Sequence, residues 1–313
     1  MRQSALTMAQ VAKDHHFVPK CYLAAFTDTA TEDGRLCVFD FETGRFFRQR
    51  PKNVAFEKHF NRIEVEGHAP DALEKAFGEF EGQAISVIRS ICLDGDLPPD
   101  EQLSFVVNLI ALLAVRNPSG RRSMTAARRH TARIVGDFLV ADRTTYEREL
   151  AAARESGFVS GPAVTYEKMK EFIERDEYRV EIPTDTHLET ELRVFQKILA
   201  GLGSRYWSVL VAAPDAPDFI TCDHPANLVP RQMVFPLDPR TAVAAAREKP
   251  MPRRIVVGAK GVAEVNARIV DQADRQIYSR TPDVSILYDN DVVKVSLADL
   301  IGWRAGDAGR SRH

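Results

Sequence analysis

Several groups of residues in this sequence could do chemistry, and the first lies near the start. Asp14, His15, His16 and Lys20 surround Pro19. Adjacent imidazoles can share acid and base work, ligate a metal, or help the N-terminus of an incipient helix hold an anion. A helix cap would account for one polar side chain before Pro19, but three precede it, which favours a functional reading.

The second group runs from Asp218 to Asn227. An apolar strand ending at Asp223-His224-Pro225 would deliver a carboxylate and an imidazole at its edge, because proline cannot continue a ladder. An Asx-type turn closed by Asp223 and Asn227 explains the same residues equally well. Third, Glu74 and Glu81 lie two turns apart on one side of a helix. With His15, His16 or Asp223 they would form an oxygen and imidazole site for Mg, Mn or Zn. The solvated margin of an amphipathic helix is the commoner origin of such carboxylates.

Fourth, Arg116 ends an apolar helix, where a cation offsets the macrodipole. Beyond it Arg121, Arg122, Arg128, Arg129 and Arg133 cluster on one helix face, a pattern suited to phosphate or carboxylate recognition and also to a solvated face paired with acids. There is no P-loop, no Gly-x-Gly-x-x-Gly after a strand, no Gly-x-Ser-x-Gly and no His-Glu-x-x-His. Those gaps disfavour nucleotide-hydrolysing motors, dinucleotide enzymes, serine hydrolases and zincin proteases.

The elements that must position these groups follow from periodicity. Pro19 to Phe26 predicts a short helix, and Leu36 to Phe41 with Arg45 to Arg48 predict a hairpin around Gly44. Asp71 to Cys92 repeats apolar residues at helical spacing, and Phe105 to Val115 is apolar nearly all round, the pattern of a buried helix stopped at Asn117-Pro118. Between Arg121 and Asp142, Met124, Ala127, Thr131, Ile134, Val135 and Phe138 form an apolar face opposite the arginines. Tyr146 to Arg154, Tyr166 to Arg175 and His187 to Leu202 continue the helical pattern, with β-like Tyr178 to Ile182 between the last two. After Gly203 short strand-like runs dominate: Trp207 to Ala212, Phe219 to Thr221, Ala242 to Ala246, Ile255 to Gly258 and Val284 to Tyr288. One helical stretch, Val262 to Tyr278, interrupts them.

With 313 residues, 44% hydrophobic and 27% charged, the chain has the composition of a folded globular protein, and disordered, collagenous or disulfide-scaffold readings are excluded. Its 42 basic residues nearly balance 44 acidic ones, so an anionic partner must be met locally. Cys21, Cys37, Cys92 and Cys222 are scattered, which fits free thiols in a reducing compartment. The opening residues lack the apolar run of a secretory signal and Phe105 to Val115 is too short to span a bilayer, so the expectation is a cytoplasmic protein without a membrane segment.

Taken in order, several of these motifs resemble one family. They are His15-His16-Phe17-Val18-Pro19-Lys20 with Tyr22, Leu23 and Phe26; then Arg116-Asn117-Pro118; then Phe219 to Pro225; then Phe235-Pro236-Leu237. The chain resembles the bacterial family catalogued as domain of unknown function 4238 from about His15 to Tyr278. It departs at Asn117, where the family tends to carry threonine, and at Cys222 and His224, which replace the serine and asparagine flanking Asp223. The resemblance transfers no activity. It does imply that His15, His16, Arg116 and Asp223 converge on one site.

The expected architecture is therefore α+β, a helical body with a mixed, mainly antiparallel sheet from the C-terminal third and the early hairpin. A single domain is expected over 1–303, helix-rich to 203 and strand-rich from 204, with a flexible tail over 304–313. The expected function is hydrolysis or group transfer on a phosphate-containing or other anionic substrate, nucleic acid included. His15, His16, Asp223 and Arg116 are the catalytic candidates, and Lys20, His224, Asn227, Arg121 and Arg122 the substrate contacts. A divalent metal would sit among His15, His16, Asp223, Glu74 and Glu81. The alternative is a non-catalytic protein that docks nucleic acid or an acidic partner on the face from Arg121 to Arg133.

Overall fold

In the computed structural model, residues 14–63, 69–176, 178–226 and 232–300 are described. Asn227 and the segment 304–313 lie outside them. The chain forms two compact units, Met1–Asn117 with Leu188–His313, and the inserted stretch Pro118–His187.

The larger unit is α+β. Its first strand, β1 (Asp14–His16), is followed by α1 (Lys20–Leu23), a turn of 3-10 helix (Ala24–Phe26), β2 (Leu36–Asp40), β3 (Arg45–Gln49) and β4 (Phe56–Lys58). Two long helices follow, α2 (Ala72–Asp94) and α3 (Asp100–Val115). Gly95, at a φ of 64° that favours glycine, ends α2 by donating its N–H to Ile91 at 2.8 Å. The expected helix before Asn117-Pro118 is confirmed: α3 buries Leu103, Val106, Val107, Leu109, Ile110, Ala111 and Leu113. Each large apolar side chain so buried contributes about 1.5–3 kcal/mol.

Most of α7 (Thr184–Gly203) also belongs to this unit, with β5 (Tyr206–Ala212), β6 (Thr221–Cys222), β7 (Gln232–Asp238), β8 (Thr241–Ala246), β9 (Arg254–Val257), α8 (Ala259–Gln272), β10 (Gln276–Ser279), β11 (Asp283–Tyr288) and β12 (Asp291–Ser296). One four-stranded sheet runs β3-β2-β10-β6, all antiparallel; another runs β7-β8-β5-β9, with β5 and β9 parallel. The helix expected over Val262 to Tyr278 stops early, and its last residues are β10, the inner strand between β2 and β6. Tyr278 faces the core shared by α2 and α3, whereas Ile277 faces the core under α8, so both sides of this short strand are apolar and its alternation disappears.

The inserted unit holds α4 (Pro118–Leu139), α5 (Arg143–Glu155) and α6 (Tyr166–Glu174). Asp142 caps α5 by accepting from the Thr145 N–H at 2.8 Å. The apolar face expected to bury α4 is instead exposed, with Val135 60% and Phe138 72% accessible. Its buried residues are Pro118 and Gly136, and a Cβ at Gly136 would stand 3.1 Å from Ile173 of α6. Arg129, seven residues before Gly136 and so on the same side of α4, meets Asp176 at 3.4 Å, although both side chains stay largely in solvent. The β-like stretch Tyr178 to Ile182 forms no strand.

Among the described residues, no single helix is long and apolar enough to cross a membrane.

Candidate functional site

The two histidines lie ahead of α1, as expected, but in a strand and not at its cap, which is Pro19. They form β1, paired antiparallel with β4 so that His15 faces Glu57 and His16 faces Phe56. Side chains alternate across a strand, so the imidazoles leave on opposite faces and cannot act as a side-by-side pair. Ala55 and His59, on either side of β4, both have left-handed φ values, 52° and 59°. Such strain in non-glycine residues is tolerated where surrounding contacts over-determine it. Here the Ala55 carbonyl accepts from Phe17 N–H at 2.9 Å, and the turn after His59 brings in Asn61.

His15 is 1% exposed and its Nδ1 accepts the Asn61 backbone N–H at 2.8 Å. This bond orients the ring. His16 differs. Its ring hydrogen-bonds the Lys52 backbone, while Nε2 is shielded and has no hydrogen-bond partner among the described residues. The Lys52 bond therefore falls to Nδ1, which fixes the tautomer with a bare lone pair on Nε2. Burial lowers the His16 pKa below the usual histidine value; Glu74 opposes this, and Lys20 and Arg116 act with it.

Glu74, Phe77 and Glu81 lie at i, i+3 and i+7 on one face of α2. The Asn61 Nδ2 donates to Glu74 Oε2 at 2.8 Å. Arg116, following the last turn of α3 and only 2% exposed, extends over the Phe77 ring at 4.6 Å and donates through Nη2 to Glu81 Oε1 at 2.5 Å. It thus does more than cap a helix. Removing either partner of such a buried pair typically costs about 3–5 kcal/mol. Burial pushes the Glu81 carboxyl up, with Arg116 opposing and Glu74 adding to the rise. Two further buried atoms have no partner among the described residues, Asn61 Oδ1 and Arg116 Nε. Lys20, half exposed at the start of α1, acts electrostatically on both His16 and Glu81. The neighbouring Cys21 thiol is pushed up to about 11 by burial and then by Glu81, so it stays protonated at neutral pH and is no nucleophile.

Asp223 does something else. Its Oδ1 accepts the Asp274 N–H at 2.9 Å, and its Oδ2 accepts those of Arg275 and Gln276 at 2.7 and 2.9 Å. None of its hydrogen bonds reaches His15, His16, Glu74, Glu81 or Arg116. It pins the chain after β6 to the start of β10, a structural role and not a catalytic one; the turn expected between Asp223 and Asn227 lies partly outside the described residues. Burial raises its pKa to about 6 despite the three N–H donors. His224 bonds the Ala114 carbonyl near the end of α3, and burial lowers its pKa. Arg121 and Arg122 are on α4 in the inserted unit, where Arg121 and Arg128 act electrostatically on His187. Among the described residues no group of three or more His, Cys, Asp or Glu side chains is placed to hold a metal ion. The metal set expected from the sequence is divided by the alternation of β1, which sends His15 and His16 to opposite faces, and by the commitment of Asp223 to backbone donors.

Sequence reasoning found His16, Glu74, Glu81, Arg116 and Lys20 but missed Asn61, Phe77 and the Lys52 carbonyl. Phe77 was legible as the residue between two carboxylates on one helical face. Asn61 reaches the site only through the fold of the turn after β4, which leaves no periodic mark.

No curated protein and no solved structure matches this chain. Residues 14–283, most of its length, match the model of the family described as a protein of unknown function, DUF4238, so the chain belongs to that family.

Proposed function

We propose that this protein is an enzyme for hydrolysis or group transfer on an anionic, phosphate-containing substrate, worked by His16, Glu81, Arg116 and Lys20. The observation that carries this reading is the His16 imidazole, held at Nδ1 by a backbone carbonyl and presenting an unpartnered Nε2. A neutral ring with a fixed tautomer is what a general base requires. Glu81, raised by burial and joined to the same cluster through Arg116, Glu74 and Lys20, supplies the complementary acid, since environments that push two groups of one site in opposite directions define an acid and a base. Arg116 and the exposed Lys20 provide cationic donors for the anionic group.

Docking of nucleic acid on the face from Arg121 to Arg133 is the alternative; it rests on largely exposed arginines, of which Arg129 already pairs with Asp176. The test uses p-nitrophenyl phosphate, bis(p-nitrophenyl) phosphate and single-stranded DNA and RNA as probes. On any probe turned over, His16→Ala should lower the rate about 10²–10⁴-fold while circular dichroism stays unchanged. Full activity in that variant, or no turnover of any probe by the wild type, would sink the reading.

A further inference from the structure

Three buried polar atoms of the site lack partners, and their chemistry is unequal. His16 Nε2 and Asn61 Oδ1 can only accept, because His16 Nδ1 carries the ring proton and Asn61 Nδ2 is turned to Glu74. Arg116 Nε–H can only donate. Side chains already described hold them in one neighbourhood. Asn61 is tied to Glu74, Arg116 lies over Phe77 and on Glu81, and those three share one face of α2. The His16 ring is within electrostatic reach of both Glu74 and Arg116.

One group that satisfies all three atoms must donate two hydrogens and accept one. An alcohol has a single O–H. A phosphate or carboxylate oxygen has none, an ammonium cannot accept from Nε–H, and a metal cation would be repelled by the guanidinium. Water has two hydrogens and two lone pairs, and after accepting from Arg116 it keeps one lone pair free.

We infer that His16, Asn61 and Arg116 together bind one water molecule, and that this water is the nucleophile, so that the activity is hydrolysis and not transfer to an alcohol. The inference rests on the proposed function for its chemistry, but the binding of the water rests on the three atoms and on the contacts that tie them to one face of α2. In the reaction the free lone pair of the water bonds to the electrophilic centre while one water O–H breaks and its proton passes to His16 Nε2. The bond from that centre to the leaving oxygen breaks, and the leaving oxygen takes a proton from Glu81. The imidazolium and carboxylate so formed are reset by proton exchange with solvent. Asn61 touches no substrate in this scheme; it is a positioning residue that aims the second water hydrogen away from His16.

A crystal structure of the wild-type chain, at a resolution that shows ordered waters, should place one water within about 3.2 Å of all three atoms. Separate partners for the three atoms, or a metal ion among them, overturn the assignment. Turnover of bis(p-nitrophenyl) phosphate in oxygen-18 water with added glycerol should put the label in the phosphate product, and a glycerol ester overturns the choice of hydrolysis. Asn61→Leu should lower kcat at least tenfold with KM unchanged; unaltered kcat in a folded variant overturns its positioning role. Loss of activity in His16→Ala without a shared water in the wild type removes the water and leaves the general base. A shared water with full activity in His16→Ala removes the nucleophile together with the base.

Discussion

Two buried polar regions of this molecule are built to opposite ends. Around Asp223 every carboxylate oxygen is used, by three backbone N–H groups of residues 274–276. Around His16 three polar atoms have no partner among the described residues although Asn61 and Arg116 are almost fully buried. Leaving a buried polar group unpaired costs about 1–3 kcal/mol, and here three such atoms fall in one cluster. The contrast separates a knot that holds the chain from a cluster whose polar atoms are not used up by the fold, and both lie within the span matched by the family.

The largest expected effect tests the knot. Asp223→Ala strands three buried N–H groups and should cost about 3–5 kcal/mol in chemical denaturation, with activity per folded molecule little changed. A stable but inactive Asp223→Ala protein would erase the distinction between the two regions. On the other side, His16→Ala should leave stability within about 1 kcal/mol of wild type while removing activity. Glu81→Gln comes next: it keeps a hydrogen-bond acceptor for Arg116 but has no acidic proton, so turnover should fall about 10–100-fold and the alkaline limb of the pH–rate profile should vanish.

The smallest effect is in proton linkage, where the two regions have opposite signs. The His16 pKa is depressed in the fold, so as pH falls below 6.5 the unfolded chain takes up the proton first and stability declines. The Asp223 pKa is raised to about 6, so between that value and 3.8 the folded chain takes up the proton first and stability rises. Denaturation of His16→Gln across this range should show a shallower acid-side loss than wild type, and Asp223→Asn should lose the compensating rise. Identical pH dependence in all three proteins would show that neither group is linked to folding.

Much of the helical frame was legible because α2 and α3 carry their burial in their apolar spacing. The pairing of Glu74 with Glu81 and the importance of Arg116 came with it. The rest hid for physical reasons. A three-residue strand such as β1 gains its conformation from β4, some forty residues away, so the sequence around His15 and His16 carries no strand signal of its own and they read as a side-by-side pair. The outward face of α4 was misassigned because Gly136, with no side chain to weigh in a periodicity, sets where α6 approaches. Asp223 looked catalytic because a strand-end carboxylate has the same local sequence whether it meets a substrate or the backbone of residues fifty positions on.

The position of β10 has a consequence for synthesis of the chain. β2 pairs with β3 locally, but its other edge is completed only by Gln276–Ser279, more than two hundred residues later. At translation rates of about 5–20 residues per second, the strand Leu36–Asp40 waits roughly ten to fifty seconds with an open, fully apolar-flanked edge. During that interval the inserted unit emerges and can fold, while the edge of β2 is a target for chaperones or for pairing with another nascent chain. Ribosome-bound chains truncated before residue 276 should therefore be protease-sensitive at β2 and resistant once Ser279 has cleared the exit tunnel.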